Sequence, residues 1–146
     1  MLKDYDNILV AVDGSENGKK AFHKACRIAK EVDARLVVAH VVDYRTFATI
    51  EHYNQAILSE VEKFGKKLLE EHQEEAKQAG VEQVTTVLEF GSPRQKIPKE
   101  IAKKYDIDLI LTGATGLNAV ERVMLGSVSE AITRTAPCDV LIVRSE

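Results

Sequence analysis

The chain has 146 residues, the usual size of one domain with a core of its own, and its 45% hydrophobic and 29% charged residues exclude a disordered or fibrous class. A formal net charge of −3 argues against a general nucleic-acid binder, which needs a basic excess or a basic face. No apolar stretch approaches the roughly 18 residues of a membrane span, and Met1-Leu2-Lys3-Asp4-Tyr5-Asp6 lacks the apolar core of a signal peptide, so a single cytoplasmic domain over 1–146 is expected, with no membrane or nucleic-acid partner.

In chain order, Ile8-Leu9-Val10-Ala11-Val12 is a continuous apolar run, the pattern of a parallel strand covered on both faces. Asp13-Gly14-Ser15 turns the chain, and Ala21, Phe22, Ala25, Ile28, Ala29 and Val32 then recur at helical spacing, which predicts an amphipathic helix from about Asn17 to Val32. Leu36 to Val42 is the next strand, completing a right-handed βαβ unit. Asp43 to His52 shows no period and reads as a loop. From Asn54 to Ala79 a long, charged helix is predicted, with Gly80 as its stop and Gly65 inside it as a place for a bend or close packing.

Val84 to Phe90 reads as a third strand, and Gly91-Ser92-Pro93 as a turn, an N-cap and a proline at the first helical position. Pro98 then predicts a helix that is kinked or begins late, because an interior proline removes a hydrogen bond. Asp108 to Thr112 is the fourth strand, Val128 to Ala136 is apolar at helical spacing, and Asp139 to Arg144 is the fifth strand. Five strands alternating with four helices imply an α/β, doubly wound parallel sheet with helices on both faces, a Rossmann-like layout. Cys26 and Cys138 make no zinc or redox spacing and read as two small buried thiols; His23, His40, His52 and His72 form no metal motif, so no metal site is expected in the protein itself.

The chemistry concentrates late in the chain. Gly113-Ala114-Thr115-Gly116 lies directly behind the apolar run Leu109-Ile110-Leu111, and after nine residues comes Gly126-Ser127, opening a helix. Glycines admit close approach of backbone N–H groups to an anion, and a helix start offers unpaired N–H groups and a positive dipole end, so two sets of donors face one phosphate chain. The spacing is neither a P-loop, which needs lysine after its second glycine, nor the dinucleotide fingerprint behind a first strand. Ligands of such sheets bind outside the carboxyl ends of the strands, and Asp13, Val41 and Gly113 all fall at such ends.

Gly-x-x-Gly, nine residues and Gly-Ser, together with the opening Asn7 to Glu16, the middle His40-Val41-Val42 and the closing Ala136 to Arg144, resemble the ATP-binding members of the universal stress protein family across nearly the whole chain. The resemblance implies ATP as ligand, with AMP or ADP as variants, and Mg2+ carried by the phosphates. It implies that Ala11, Val12 and Asp13 line the adenosine end, with Ser15 in the same set, and that the Val41 backbone meets the adenine edge. Thr112, Gly113, Ala114, Thr115 and Gly116, with Gly126, Ser127, Val128 and Ser129, hold ribose and phosphates on the same reading. Leu117 and Asn118 stand where relatives often carry a basic or polar residue, which weakens charge pairing at the terminal phosphate. Val140 to Val143 resembles the edge strand through which family members pair, implying a homodimer.

Each site residue has a structural alternative. Gly113, Gly116 and Gly126 are candidates for turn glycines with positive φ, Ser127 for a helix N-cap, and Asp13 for a cap of the first turn. The leading function is a nucleotide-binding regulatory module of the stress response, with no catalytic residue assigned. The alternatives are a slow ATPase or phosphotransfer enzyme, for which Arg122 is the best cationic candidate, and a nucleotide-independent dimeric scaffold. A phosphotransfer receiver fits poorly, since Glu89-Phe90 and Arg144-Ser145 stand where an aspartate and a lysine are needed. An ATP pyrophosphatase loop is absent at Asp13-Gly14-Ser15-Glu16.

Overall fold

The computed structural model of the chain describes residues 5–43, 55–115 and 125–144. Most of the loop expected at Asp43 to His52, and with it His52, lies outside the described residues, as do Gly116, Leu117, Asn118 and Arg122. Five parallel strands, β1 (Asn7–Ala11), β2 (Arg35–Val42), β3 (Val84–Phe90), β4 (Leu109–Gly113) and β5 (Asp139–Val143), form one sheet in the order β3-β2-β1-β4-β5. The helices are α1 (Glu16–Val32), α2 (Gln55–Gln78), α3, which runs through Pro93–Gln95, Lys96–Ile101 and Ala102–Lys104, and α4 (Ser127–Thr135). The doubly wound α/β layout expected from the strand and helix pattern is the one observed.

Alternation along the strands divides the core in two. Ile8 and Val10, Leu36 and Val38, and Leu109 and Leu111 pack with Phe22 and Ala25 of α1 and Leu69 and Ala76 of α2. Leu9, Val37, Ala39 and Ile110 face the other way, against Ile97, Ile101 and Ala102 of α3 and Ile132 of α4. Central strands buried on both sides favour apolar residues on both faces, which is why Ile8 to Val12, Leu36 to Ala39 and Leu109 to Leu111 read as unbroken apolar runs. The chain winds outward from β1 over one face, returns to β4 beside β1, and winds over the other, so the order reverses between β1 and β4.

Several boundaries move for identifiable reasons. Asp108 stays outside β4 because its carboxylate accepts from the Asp6 and Asn7 N–H groups and pins the start of β1. Pro98 neither ends nor delays α3. The helix begins at Pro93 and widens over Lys96–Ile101 into a π-helical turn that contains Pro98, with the Ala102 N–H reaching back to Ile97. Ser92 occupies the N-cap position of α3, but its hydroxyl caps nothing; its carbonyl accepts from Gln95 and Lys96. Gly65 is a close-packing glycine: a Cβ there would come within 2.9 Å of Leu88 Cδ1 and 3.0 Å of His40 Cδ2. Gly80 ends the turn after α2 at φ +100°. No helix among the described residues is long and apolar enough to cross a membrane.

Candidate functional site

At the carboxyl ends of β1, β2 and β4, where the strand order reverses, a cavity of about 360 Å3 opens. That volume is within the range of small-molecule sites, roughly 300–1,000 Å3. It is lined by Ala11, Val12, Asp13 and Ser15 from the β1–α1 turn, Val41 from β2, and Thr112, Gly113 and Thr115 from β4 and beyond. Gly126, Ser127, Val128 and Ser129 close it at the start of α4. Three segments, the first two more than 20 and the last two more than 60 residues apart in sequence, thus meet in one space, as expected from the positions of the strand ends.

The two glycine-flanked helix starts differ in how much of their donor capacity is spent. At α1 the Asp13 carboxylate accepts from the Ser15 N–H at 2.9 Å, and the Ser15 hydroxyl accepts from the Gly18 N–H at 3.0 Å. Asp13 therefore caps the turn and lines the cavity at once. At α4 the N-cap is Gly126, which has no side chain to offer, and the first helical bond is Glu130 N–H to the Gly126 carbonyl. The N–H groups of Ser127, Val128 and Ser129 precede that bond and have no intrahelical acceptor, so they present positive charge to the cavity. The α3 start adds Pro93 and Ile97 to the wall.

The β2 backbone supplies a different chemistry. Ala39 directs its groups toward β1, accepting from the Val12 N–H, and Val42 directs its carbonyl toward β3, accepting from the Gly91 N–H. Backbone polarity alternates along a strand, so the Val41 N–H and carbonyl point to the β1 side, where β1 has already ended at Ala11. A donor and an acceptor from one residue, side by side on the strand edge, match the edge of a planar heterocycle.

Among the described residues the lining carries two carboxylates, Asp13 and Asp43, and no lysine, arginine or histidine. Among the described residues its positive ends are those of helices. No group of three or more His, Cys, Asp or Glu among the described residues is arranged to hold a metal ion. The thiols stand apart from the cavity: burial, then Glu75, pushes Cys26 up to about 12, and burial, then Asp108 and Asp139, pushes Cys138 up to about 11. Cys26 is buried as expected, whereas Cys138 is only half-buried.

Particular glycines play roles other than those the spacing suggests. Gly113 is not a positive-φ turn residue; a Cβ on it would fall 2.9 Å from the Asn17 backbone, so its lack of a side chain lets the first turn of α1 lie directly on β4. Gly126 is extended, at φ −67° and ψ 162°, and it rather than Ser127 is the N-cap; Ser127 is the first residue of the helix. Ala114 is not part of the lining. Its N–H bonds the Val143 carbonyl at 3.0 Å and its carbonyl accepts from Gly126 N–H at 2.7 Å, clamping the motif to β5 and α4. The Ser129 hydroxyl donates to the Gly113 carbonyl and the Thr115 hydroxyl accepts from Asn17, so both tether walls.

Four wall residues were not anticipated: Gly18, Asp43, Pro93 and Ile97. Pro93 and Ile97 follow the end of β3 and were open to the same strand-end reasoning as Asp13 and Val41. Asp43 directly follows β2 and carried the same signal.

The sequence profile of the universal stress protein family matches residues 4–144. A protein of Staphylococcus haemolyticus named as a universal stress protein is 51% identical over 142 residues, covering 97% of this chain and 86% of its own. The universal stress protein UspA of Lactobacillus plantarum is similar in structure with a TM-score of 0.82 at 32% identity, over 98% of this chain and all of that one. A universal stress protein crystallised in complex with cAMP has a TM-score of 0.73 at 27% identity, over 99% of this chain and 100% of its own. With sheet order, switch-point cavity, profile and half-identical relative all in agreement, this chain belongs to the universal stress protein family.

Proposed function

We propose that the protein is a nucleotide-binding regulatory module that holds an adenine nucleotide, ATP foremost, in the switch-point cavity. The observation that carries this reading is the pairing, in one cavity, of uncapped N–H groups at the start of α4 with the outward-facing Val41 peptide at the other wall. The first suits a phosphate, the second the base. The phosphates lie at Ser127, Val128 and Ser129 and the adenosine end at Ala11, Val12, Asp13 and Val41, which keeps the polyanion on the α4 side, apart from the Asp13 carboxylate. Mg2+ accompanies the nucleotide through phosphate oxygens and water. The relative bound to cAMP supports an adenine nucleotide as the ligand class.

Binding rather than turnover is the role this lining supports, since among its described residues no cationic side chain stands ready to stabilise a leaving phosphate. The protein works as a homodimer through β5, which among the described residues is an edge strand pairing with β4 alone and leaving Val140 to Val143 half-exposed. Calorimetric titration of MgATP into nucleotide-free protein tests the reading: saturable binding of one nucleotide per subunit is expected. Absence of binding at millimolar MgATP would reject it.

A further inference from the structure

His40 stands at a junction that the nucleotide reading does not use. It lies in β2 next to Val41, and it is 8% exposed. Its Nδ1 is 2.9 Å from the Val12 carbonyl oxygen. A carbonyl only accepts, so Nδ1 carries the proton and donates. The ring is held from outside the sheet by α2, edge-on to Phe64 with centroids 6.1 Å apart, and against Gly65, whose missing Cβ leaves it room.

The Val12 carbonyl is the acceptor that the β1–β2 ladder would use next. The ladder runs to the pair Ala11↔Ala39, with the Val12 N–H donating to the Ala39 carbonyl at 2.9 Å. Continued by one rung, it would send the Val41 N–H to the Val12 carbonyl. The His40 side chain takes that acceptor, and β1 leaves the sheet into the Asp13 turn.

We propose that His40 is a positioning residue that draws the Val12 carbonyl out of the ladder and so keeps the Val41 peptide open to the base of a bound nucleotide. The proposal rests on the adenine-nucleotide reading for its ligand but not for its geometry. The ligand contacts Val41; His40 acts through Val12 and touches no ligand. In this way α2, which contributes no described residue to the cavity wall, reaches the base end of the site through the ring of His40.

The test compares His40→Leu with His40→Asn in the full chain. Leucine suits the neighbouring Leu88 and Phe64 but removes the donor, whereas the asparagine Nδ2 sits close to where the imidazole Nδ1 does and restores it. Two quantities are read: amide hydrogen exchange at Val41 by NMR in nucleotide-free protein, and the Kd for MgATP beside that for inorganic tripolyphosphate, which has no base. Val41 is expected to exchange freely in wild type and His40→Asn and to become at least tenfold slower in His40→Leu, as the extra rung forms. The MgATP affinity is expected to fall about tenfold in His40→Leu and recover in His40→Asn, with tripolyphosphate unchanged in both. A Val41 amide as protected in wild type as in His40→Leu would overturn the proposal, and so would full MgATP affinity in a His40→Leu protein whose Val41 amide is protected. Wild type that binds no MgATP but shows the expected exchange pattern would reject the nucleotide reading and leave the His40 latch standing.

Discussion

Replacing Ser127 by proline tests the α4 helix start as an anion site with little collateral damage. Proline at the first helical position lacks an N–H that has no intrahelical partner anyway, and its fixed φ suits the helix. The preceding residue must be extended, and Gly126 already is, at φ −67° and ψ 162°. The variant therefore removes one N–H from the cavity wall, plus an exposed hydroxyl that Ser127→Ala removes alone. A hydrogen bond to a charged group contributes about 1.5–3 kcal/mol, and 1.4 kcal/mol is tenfold in affinity, so Ser127→Pro should weaken MgATP binding about 10- to 100-fold relative to Ser127→Ala. Calorimetry supplies the Kd values, and thermal unfolding should show melting temperatures close to wild type. Equal affinity of the proline and alanine variants, with the fold intact, would refute the assignment of the phosphates to α4.

The remaining expectations concern the scaffold and the assembly. Gly113→Ala places a Cβ 2.9 Å from the Asn17 backbone and should cost about 1–3 kcal/mol in urea unfolding, ligand or none; a neutral result would show that α1 yields easily over β4. His72, packed 4.2 Å from the Phe22 ring and 5% exposed, has an Nδ1 with no hydrogen-bond partner among the described residues, and burial, partly opposed by Glu75, lowers its pKa from about 6.5. The unfolded chain then binds a proton that the folded chain refuses, so stability is complete above about pH 6.5 and declines as pH falls through the folded pKa. His72→Leu should flatten that decline in denaturation curves taken between pH 7.5 and 5, and an undiminished slope would assign it to other groups. Since Val143 turns its carbonyl toward β4, the backbone of Ile142 faces away from the sheet; Ile142→Pro should leave the fold intact and convert a dimer to monomer in sedimentation experiments. A wild-type monomer at micromolar concentration would remove the edge-strand interface altogether.

Local pattern was enough for the elements and for the place of the cavity. Unbroken apolar runs such as Ile8 to Val12 mark strands covered on both faces, the spacing from Ala21 to Val32 marks a helix, and strand ends in an open α/β sheet mark where a ligand goes. These signals are periods and compositions within ten or twenty residues, which the chain carries in itself. The roles of individual residues were decided by neighbours far away in sequence. Gly113 spares room for Asn17, the Thr115 hydroxyl is taken by Asn17 across 98 residues, and His40 reaches the Val12 carbonyl across 28. Gly126 rather than Ser127 became the helix cap, and a π-helical turn rather than a break accommodated Pro98. No period or composition encodes such pairings, because each depends on which backbone groups remain unsatisfied once the sheet and helices have packed; the amino-acid order determined that there would be a cavity at the switch point, and tertiary packing determined which atoms face into it.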